Sequence, residues 1–228
     1  MGWLEDLDLS YDEINELLTD NPSLRSFVLG YAAEIKLRNM YFHGNPRITD
    51  VYKPDDHDRT EKGDWIVTYR GERIGVEVKS LQTSSLEPKR DGTVRPAYQC
   101  DASDARTVLF SDGSSVHTTA LAVGEFDVVA VNIHALVGVW EFVFCKNSDL
   151  HTMEGATRGA AKNYSPLQQK GLIKTLQSVP TPLAPPYVDD PFTLFDDIVD
   201  ARARGQARVG TAEVVVDDGE ASRVQSRS

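Results

Sequence analysis

The chain has 228 residues, of which 40% are hydrophobic, so it is long enough for one well-buried domain with appendages and short for two. It carries 35 acidic and 24 basic side chains, giving a formal net charge of −11. DNA-binding proteins usually present a basic surface, so this charge argues against a non-specific, high-affinity DNA binder acting alone, although a partner subunit could supply DNA binding.

Composition also argues against a membrane span, a secretory signal and a disulfide framework. No apolar run reaches the roughly 18 residues that a membrane span needs, and the acidic start lacks the features of a secretory signal. Cys100 and Cys145 are far apart in sequence and match neither paired disulfide spacing nor a zinc site. We therefore predict a cytoplasmic protein with reduced thiols.

Two helices are predicted near the N-terminus. Ser10 and Glu13 match a capping box, and Asn21-Pro22 supplies the start of a second helix. In the second helix, apolar residues recur near the helical period at Leu24, Val28, Tyr31, Ile35 and Phe42. Glu34 flanks this stripe, where a carboxylate is either an ordinary boundary residue or one directed at a site over a sheet.

Residues 64–79 predict a β-hairpin that carries two acidic groups and one basic group. A two-residue Gly71-Glu72 loop would place Asp64 opposite Lys79 and diagonal to Glu77. All three side chains then share one sheet face, and a one-residue slip in register would separate them. Two carboxylates and an ammonium group so placed suit metal-assisted phosphodiester cleavage. The alternative is a half-exposed hairpin with ordinary solvent-facing charges.

The Glu-x-Lys pattern occurs three times in the chain. Glu34 and Lys36 are expected in a helix, where residues two apart do not share a face. Glu87-Pro88-Lys89 lies in a polar, proline-containing stretch that is typical of a loop. Only Glu77-Val78-Lys79 stands in a strand pattern beside a second acidic residue.

Beyond the hairpin the pattern predicts more β structure. Asp112-Gly113 lies between two β-prone runs and predicts a second hairpin, as an insertion or at an edge of the sheet. Residues 126–133 and 140–145 predict strands, the first apolar enough to be buried on both faces. Glu125 and Asp127 form a rival carboxylate pair, but no lysine accompanies them in the strand, and we interpret them as structural.

After Asp149 the chain changes character. Residues 165–179 match a short amphipathic helix, and Asp190-Pro191 begins a further helix that we expect to dock on the domain or on a partner. The prediction divides the chain into a domain at residues 1–179, a proline-rich connector with a docking helix at 180–201, and a disordered acidic tail at 202–228.

Glu34 on a helix, then Asp64, then Glu77-Val78-Lys79: this order resembles the PD-(D/E)XK nuclease superfamily over about residues 20–145. The resemblance implies an α/β fold with a restriction-endonuclease-like core, in which a mixed β-sheet is flanked by helices, with a β-rich insertion and a C-terminal helical and disordered tail. The family's helix after the Glu-x-Lys strand is not evident here. Residues 97–106 are the best candidate for it, or for part of an insertion.

The resemblance implies an endonuclease that uses Mg²⁺ or Mn²⁺ to hydrolyse DNA phosphodiester bonds in a restriction or phage-defence setting. Asp64 and Glu77 would ligate the metal, and Lys79 would position or deprotonate the water or stabilise the phosphate charge. Glu34 would hold a second metal ion or a water bound to the metal. Candidate DNA contacts are Gln82, Lys89, Arg90, Arg95 and Arg106, and the alternative for the basic stretch from Lys89 to Arg106 is an ordinary solvated loop. Expected partners are DNA and a second copy of the chain, or another subunit of a defence complex.

Two other interpretations stay open. A resolvase of Holliday junctions and other branched DNA would share the fold, and would cleave four-way junctions in preference to linear duplex. A catalytically silent subunit would keep the fold for binding DNA or a partner, and would leave every nucleic acid intact.

Overall fold

The computed structural model describes residues 6–54 and 62–205, and the backbone of residues 212–215. The helices are α1 (Tyr11–Asp20), α2 (Pro22–Leu37), α3 (His134–Val137), α4 (Pro166–Gly171) and α5 (Pro191–Ala203). The strands are β1 (Ile48–Tyr52), β2 (Trp65–Tyr69), β3 (Glu72–Ser80), β4 (Ala97–Gln99), β5 (Asp101–Phe110), β6 (Ser115–Ala120), β7 (Val128–Asn132), β8 (Phe142–Lys146), β9 (Leu176–Ser178) and β10 (Ala212–Val215).

Both N-terminal helices begin where the sequence predicts. The Ser10 hydroxyl accepts a hydrogen bond from the Glu13 backbone, and the Glu13 carboxylate accepts one from the Ser10 backbone, so the capping box is confirmed. α2 continues into a π-helical turn at Arg38–Phe42. The face of α2 that packs in the core differs from the predicted stripe, because Ala33 and Leu37 are buried whereas the stripe is largely exposed.

The central sheet has the order β1-β2-β3-β7-β8. Its first three strands are antiparallel, β3 and β7 are parallel, and β7 and β8 are again antiparallel. All five residues of β7 are buried, as the apolar run at residues 126–133 predicts. Core side chains from α2 and α5 pack against this sheet. A mixed sheet flanked by helices is therefore confirmed.

The turn between β2 and β3 differs from the predicted one. Tyr69 pairs with Glu72, so the loop is Arg70-Gly71 and the predicted Gly71-Glu72 loop is wrong. Arg70 and Gly71 have φ angles of 50° and 81°, and two successive positive φ values are the signature of a type I′ turn. The pairing therefore shifts by two residues, which brings Asp64 next to Glu77 rather than Lys79. A two-residue shift preserves the face on which each side chain lies.

A β-rich segment, rather than a helix, connects β3 to β7. Of the two interpretations of residues 97–106, the helix is wrong and part of a β-rich insertion fits: Tyr98 and Cys100 are buried while Gln99 is exposed, the two-residue period of a strand. β4 pairs with β9, and β5 pairs with β6 and β10 in a separate sheet. The predicted hairpin at Asp112-Gly113 is confirmed as the β5–β6 turn, where Asp112 accepts a hydrogen bond from the Ser114 backbone.

The C-terminal part matches the prediction in places. The helix predicted at residues 165–179 ends at Gly171, because Leu172 and Ile173 are both fully buried in extended chain that bridges to other loops. α5 begins after Asp190, whose side chain accepts a hydrogen bond from the Phe192 backbone. α5 docks on the domain through buried core residues, namely Phe192, Leu194, Phe195 and Val199.

Most of the predicted disordered tail at 202–228 lies outside the described residues. Within the tail, Arg202 still belongs to α5 and Ala212–Val215 pairs with β5, so disorder is the wrong prediction for those positions. Cys100 and Cys145 are free and buried. In residues 6–54 and 62–205, no helix combines the length and apolar character needed to cross a membrane.

Candidate functional site

The β2–β3 hairpin brings Asp64, Glu77 and Lys79 together. Lys79 Nζ lies 2.7 Å from Glu77 Oε1, an ion pair between neighbours on one face of β3. Asp64 stands immediately before β2, where its Oδ2 accepts a hydrogen bond from the Val78 backbone N–H at 2.7 Å. The Asp64 carboxylate is therefore fixed against the strand segment that carries both partners, as the predicted shared face requires.

Glu34 reaches the same pocket from α2. The Trp65 indole N–H donates a hydrogen bond to the Glu34 carbonyl at 3.2 Å, which ties α2 to the residue after Asp64. The Glu34 carboxylate pairs with Lys53, with 2.8 Å between Oε2 and Nζ, and its side chain is only 13% exposed. Lys53 was not predicted as a site residue, because it follows β1 without any recognisable motif.

The pocket concentrates negative charge. Burial, together with the nearby carboxylates of Glu77 and Glu34, raises the pKa of Asp64 to about 8 against the opposing effect of Lys79. Burial alone would lower the pKa of Lys79, but the charges of Glu77 and Asp64 raise it above its usual value. At neutral pH, Asp64 therefore holds a proton that a bound cation would displace, while Lys79 stays charged.

The carboxylates fit a lightly coordinated cation. Mg²⁺ commonly binds proteins through one or two carboxylates and keeps several waters, and Asp64 with Glu77 supplies such a pair. Across the described segments, no three histidine, cysteine, aspartate or glutamate side chains converge closely enough to hold a metal ion. Glu34 thus affects the pKa of Asp64 electrostatically, but the two carboxylates are not close enough to a third ligand to bind one metal ion together. A two-carboxylate site fits these contacts, and a fully protein-ligated site does not.

Close backbone packing positions Asp64. A Cβ atom on Gly75 would lie 2.4 Å from the Lys62 carbonyl oxygen, so the chain entering β2 crosses β3 where only glycine fits. Gly63 has a φ of 112° and also approaches the β3 backbone at Val76. An isolated glycine within a strand often marks such a close approach, so Gly75 is the residue of the sequence that indicates it.

α5 anchors the site-bearing hairpin through a buried ion pair. Arg202 pairs with Asp127 and donates a hydrogen bond to the Arg73 carbonyl at 2.7 Å. Asp127 in turn accepts a hydrogen bond from the Gly75 backbone at 2.8 Å. No local signal links Arg202 to Asp127, because they are far apart in sequence. Asp127 is structural, as interpreted.

The predicted DNA contacts divide into exposed and buried residues. Lys89 and Arg90 are exposed in a turn, and Arg95 is 66% exposed and 3.6 Å from Asp91. Gln82 is half-buried, and its side-chain amide donates a hydrogen bond to Gln99 at 2.9 Å.

Arg106 is wrong as a DNA contact. Its side chain is 10% exposed and is paired with the buried carboxylate of Glu125. It also donates a hydrogen bond to the Thr119 carbonyl at 3.3 Å. Arg106 and Glu125 therefore form a structural pair that joins β5 to the loop before β7.

The hairpin thus brings Asp64, Glu77 and Lys79 together, whereas Glu34 on α2 influences Asp64 electrostatically and is paired with Lys53. No family model, curated protein or solved structure matches the chain. Chemistry at the pocket has to be inferred from these side chains themselves.

Proposed function

We propose that the chain is a Mg²⁺-dependent endonuclease of the PD-(D/E)XK type that hydrolyses DNA phosphodiester bonds. The observation that carries the proposal is the pocket itself: Asp64 is hydrogen-bonded to the strand that presents the Glu77–Lys79 ion pair. The restriction-endonuclease-like core belongs to the same proposal. It is supported by the order of α2, β1–β3 and β7–β8 around one mixed sheet.

Each residue has a role that its contacts support. Asp64 and Glu77 would ligate the cation, and the Val78 carbonyl oxygen would be a third ligand. When bound, a divalent cation would polarise the phosphate and lower the pKa of water. Lys79 has a raised pKa and remains charged, so it would stabilise negative charge on the phosphate rather than act as a base. In the reaction, water oxygen bonds to phosphorus, and the bond to the leaving oxygen breaks as that oxygen gains a proton.

Phosphate contacts are proposed for the loop that follows the pocket. Lys89, Arg90 and Arg95 are exposed on the segment between β3 and β4, which begins directly after the strand that carries Lys79. Such contacts would hold the DNA backbone across the Asp64–Glu77 pair. With a net charge of −11, the chain would bind DNA weakly outside this loop.

A catalytically silent subunit is the second candidate, and two contacts favour it. Lys53 neutralises Glu34, and Lys79 neutralises Glu77, so both carboxylates are already paired. A protein that keeps these pairs permanently would retain the fold and bind no cation.

Incubation of plasmid, linear duplex and four-way junction DNA, and of RNA, with Mg²⁺, Mn²⁺ or EDTA tests the proposal. We expect cleavage by the wild type with metal and none with EDTA. Lys79→Ala should lower the rate by about 10²–10³-fold, the usual cost of removing one group that stabilises the transition state. Lys174→Ala, which removes an exposed lysine of the β9 region, is the matched control and should leave the rate unchanged.

The outcomes separate the candidates. Preference for four-way junctions over linear duplex would identify a resolvase. If the folded wild type leaves every DNA and RNA form intact with either metal, the silent subunit replaces the nuclease. Calorimetric titration with Mg²⁺ then reports whether the pocket binds a cation at all.

A further inference from the structure

The N-terminal helical hairpin, formed by α1 and α2, leaves large apolar side chains in water. Between residues 6 and 32, all of which the structure describes, no residue is buried, and the first buried residue is Ala33. Along α2 the most exposed apolar side chains are Phe27, Val28, Tyr31 and Ile35, at 67, 43, 54 and 49%. These four form a continuous stripe because they recur at the helical period.

A stripe of this kind differs from scattered surface residues. Two of its side chains are aromatic, and exposed apolar patches of several side chains mark interaction surfaces in soluble proteins. α1 adds Tyr11 and Leu17, which are also exposed, and has no buried residue. Helices gain most of their stability from packing an apolar face, and among the described residues no element covers this face of the hairpin.

The charges on the hairpin indicate what covers that face. α1 contains the acids Asp12, Glu13, Glu16 and Asp20 and no basic residue, a net charge of −4. α2 contains Arg25, Lys36 and one acid, Glu34, a net charge of +1. A contact between α1 of one copy and α2 of another brings opposite net charges together. A contact between two α1 helices would instead place four negative charges against another four. In a twofold interface the favourable contact occurs twice.

We propose that the α1–α2 hairpin is a self-association surface. Two copies would pack through the stripe with α1 of each copy beside α2 of the other, as in a four-helix bundle. Arg25 and Lys36 are three helical turns apart, so they lie along one edge of the stripe, where the partner's acids would meet them. The proposal does not depend on nuclease activity.

The interface would also reach the candidate pocket. Lys53 Nζ lies 4.8 Å above the ring of Tyr31, a member of the stripe, and 2.8 Å from Glu34. A second copy that covers Tyr31 would therefore exclude water from the outer side of the Lys53–Glu34 ion pair. The dimer interface would therefore lie next to the Lys53–Glu34 ion pair at the edge of the candidate site.

Sedimentation equilibrium of the full chain, from micromolar to hundred-micromolar concentration, tests the surface. We expect a monomer–dimer equilibrium for the wild type. Phe27→Glu combined with Tyr31→Glu should weaken dimerisation by about tenfold or more, because it buries charge in the apolar stripe. Val139→Glu is the control, since Val139 is 60% exposed but lies outside the hairpin, and it should leave the dimer unchanged.

Charge reversal tests the arrangement of the helices. One variant carries Glu16→Lys and Asp20→Lys, and the other carries Arg25→Glu and Lys36→Glu. Each variant alone would bring like charges together at the substituted positions and be monomeric, whereas an equal mixture would restore opposite charges at those positions and dimerise. The exposed positions chosen, with the new lysines near the C-terminus of α1, should preserve the helices, which circular dichroism would verify.

Three results would overturn the proposal. A wild type that stays monomeric throughout the concentration range would remove the dimer. A dimer that survives the Phe27 and Tyr31 substitutions would place the contact on another surface. Reversed-charge variants that dimerise alone, or fail to dimerise when mixed, would exclude the α1-beside-α2 arrangement.

Discussion

The two hairpins of this molecule are built in opposite ways. The β2–β3 hairpin carries charged site residues, yet it is enclosed by the sheet and anchored by Asp127 and Arg202. The α1–α2 hairpin carries a long apolar stripe, yet no residue before Ala33 is buried in it. Packing therefore fixes the charged side chains of the β2–β3 hairpin, where the proposed chemistry would need a fixed geometry. It leaves the apolar side chains of the α1–α2 hairpin exposed, where a second copy could bind.

The largest expected effect comes from a glycine in each hairpin. Gly75→Val should lower the free energy of unfolding by about 3 kcal/mol, because its Cβ would collide with the Lys62 carbonyl. Gly30→Ala has no atom within 4 Å of the new Cβ and should raise the free energy by about 0.5–1 kcal/mol. Urea denaturation measures both. Equal effects at the two positions would refute the contrast between enclosed and open hairpins.

A smaller effect is expected when the anchor from α5 is removed. Arg202→Ala should cost about 2 kcal/mol, because it removes a charged hydrogen-bond donor from the buried Asp127 carboxylate. Adding Asp127→Asn should recover part of that loss, since the amide oxygen can still accept the Gly75 hydrogen bond. Arg70→Ala, which breaks pairs with the half-exposed Asp196 and Asp200, should cost less than about 1 kcal/mol. A double-mutant cycle measures the coupling, and a loss that Asp127→Asn leaves undiminished would contradict this account.

The stability of the folded chain should also depend on pH through Asp64. The pKa of Asp64 is raised from an ordinary 3.8 to about 8, so between these values the folded chain keeps a proton that the unfolded chain has lost. The stability of the metal-free protein should therefore be fully present below about pH 4 and fall as pH rises to about 8. Asp64→Asn removes this dependence, so its stability should not fall over this pH range and should exceed that of the wild type at the upper end.

Calorimetric melting with and without Mg²⁺ measures that effect. Mg²⁺ should stabilise the wild type, because it binds the folded chain and displaces the Asp64 proton, and should stabilise Asp64→Asn much less. Asp50→Asn, at an exposed position on β1, is the control. Equal stabilisation of both proteins by Mg²⁺ would show that Asp64 is not a ligand.

Features that depend on a few neighbouring residues could be predicted from the sequence. The Ser10–Glu13 capping box, the Asp112-Gly113 turn and the buried strand β7 each follow from local residue types, and each is present. The shared face of Asp64 and Glu77 was predicted from alternation alone. The predicted register was wrong by two residues. A shift of two residues leaves each side chain on the same face of the sheet, so the predicted shared face is still correct.

Features that depend on distant contacts could not be predicted. Periodicity located the apolar stripe of α2 but could not tell whether the fold covers it, because Ala33 and Leu37 pack in the core instead. The turn was predicted with Gly71 as its first residue. Arg70 occupies that position instead and has a positive φ, which is uncommon for residues other than glycine. The pairing of Arg202 with Asp127 needs the complete fold before it exists.

The late position of α5 has a consequence for biosynthesis. Phe192, Phe195 and Val199 complete the core beneath the sheet, and Arg202 secures the strand that presents Glu77. During translation these residues leave the ribosome after the strands that they cover, and long-range contacts of this kind form late in folding. A nascent chain would therefore not organise its carboxylate cluster until α5 has been synthesised, and a product truncated before α5 would lack the organised site.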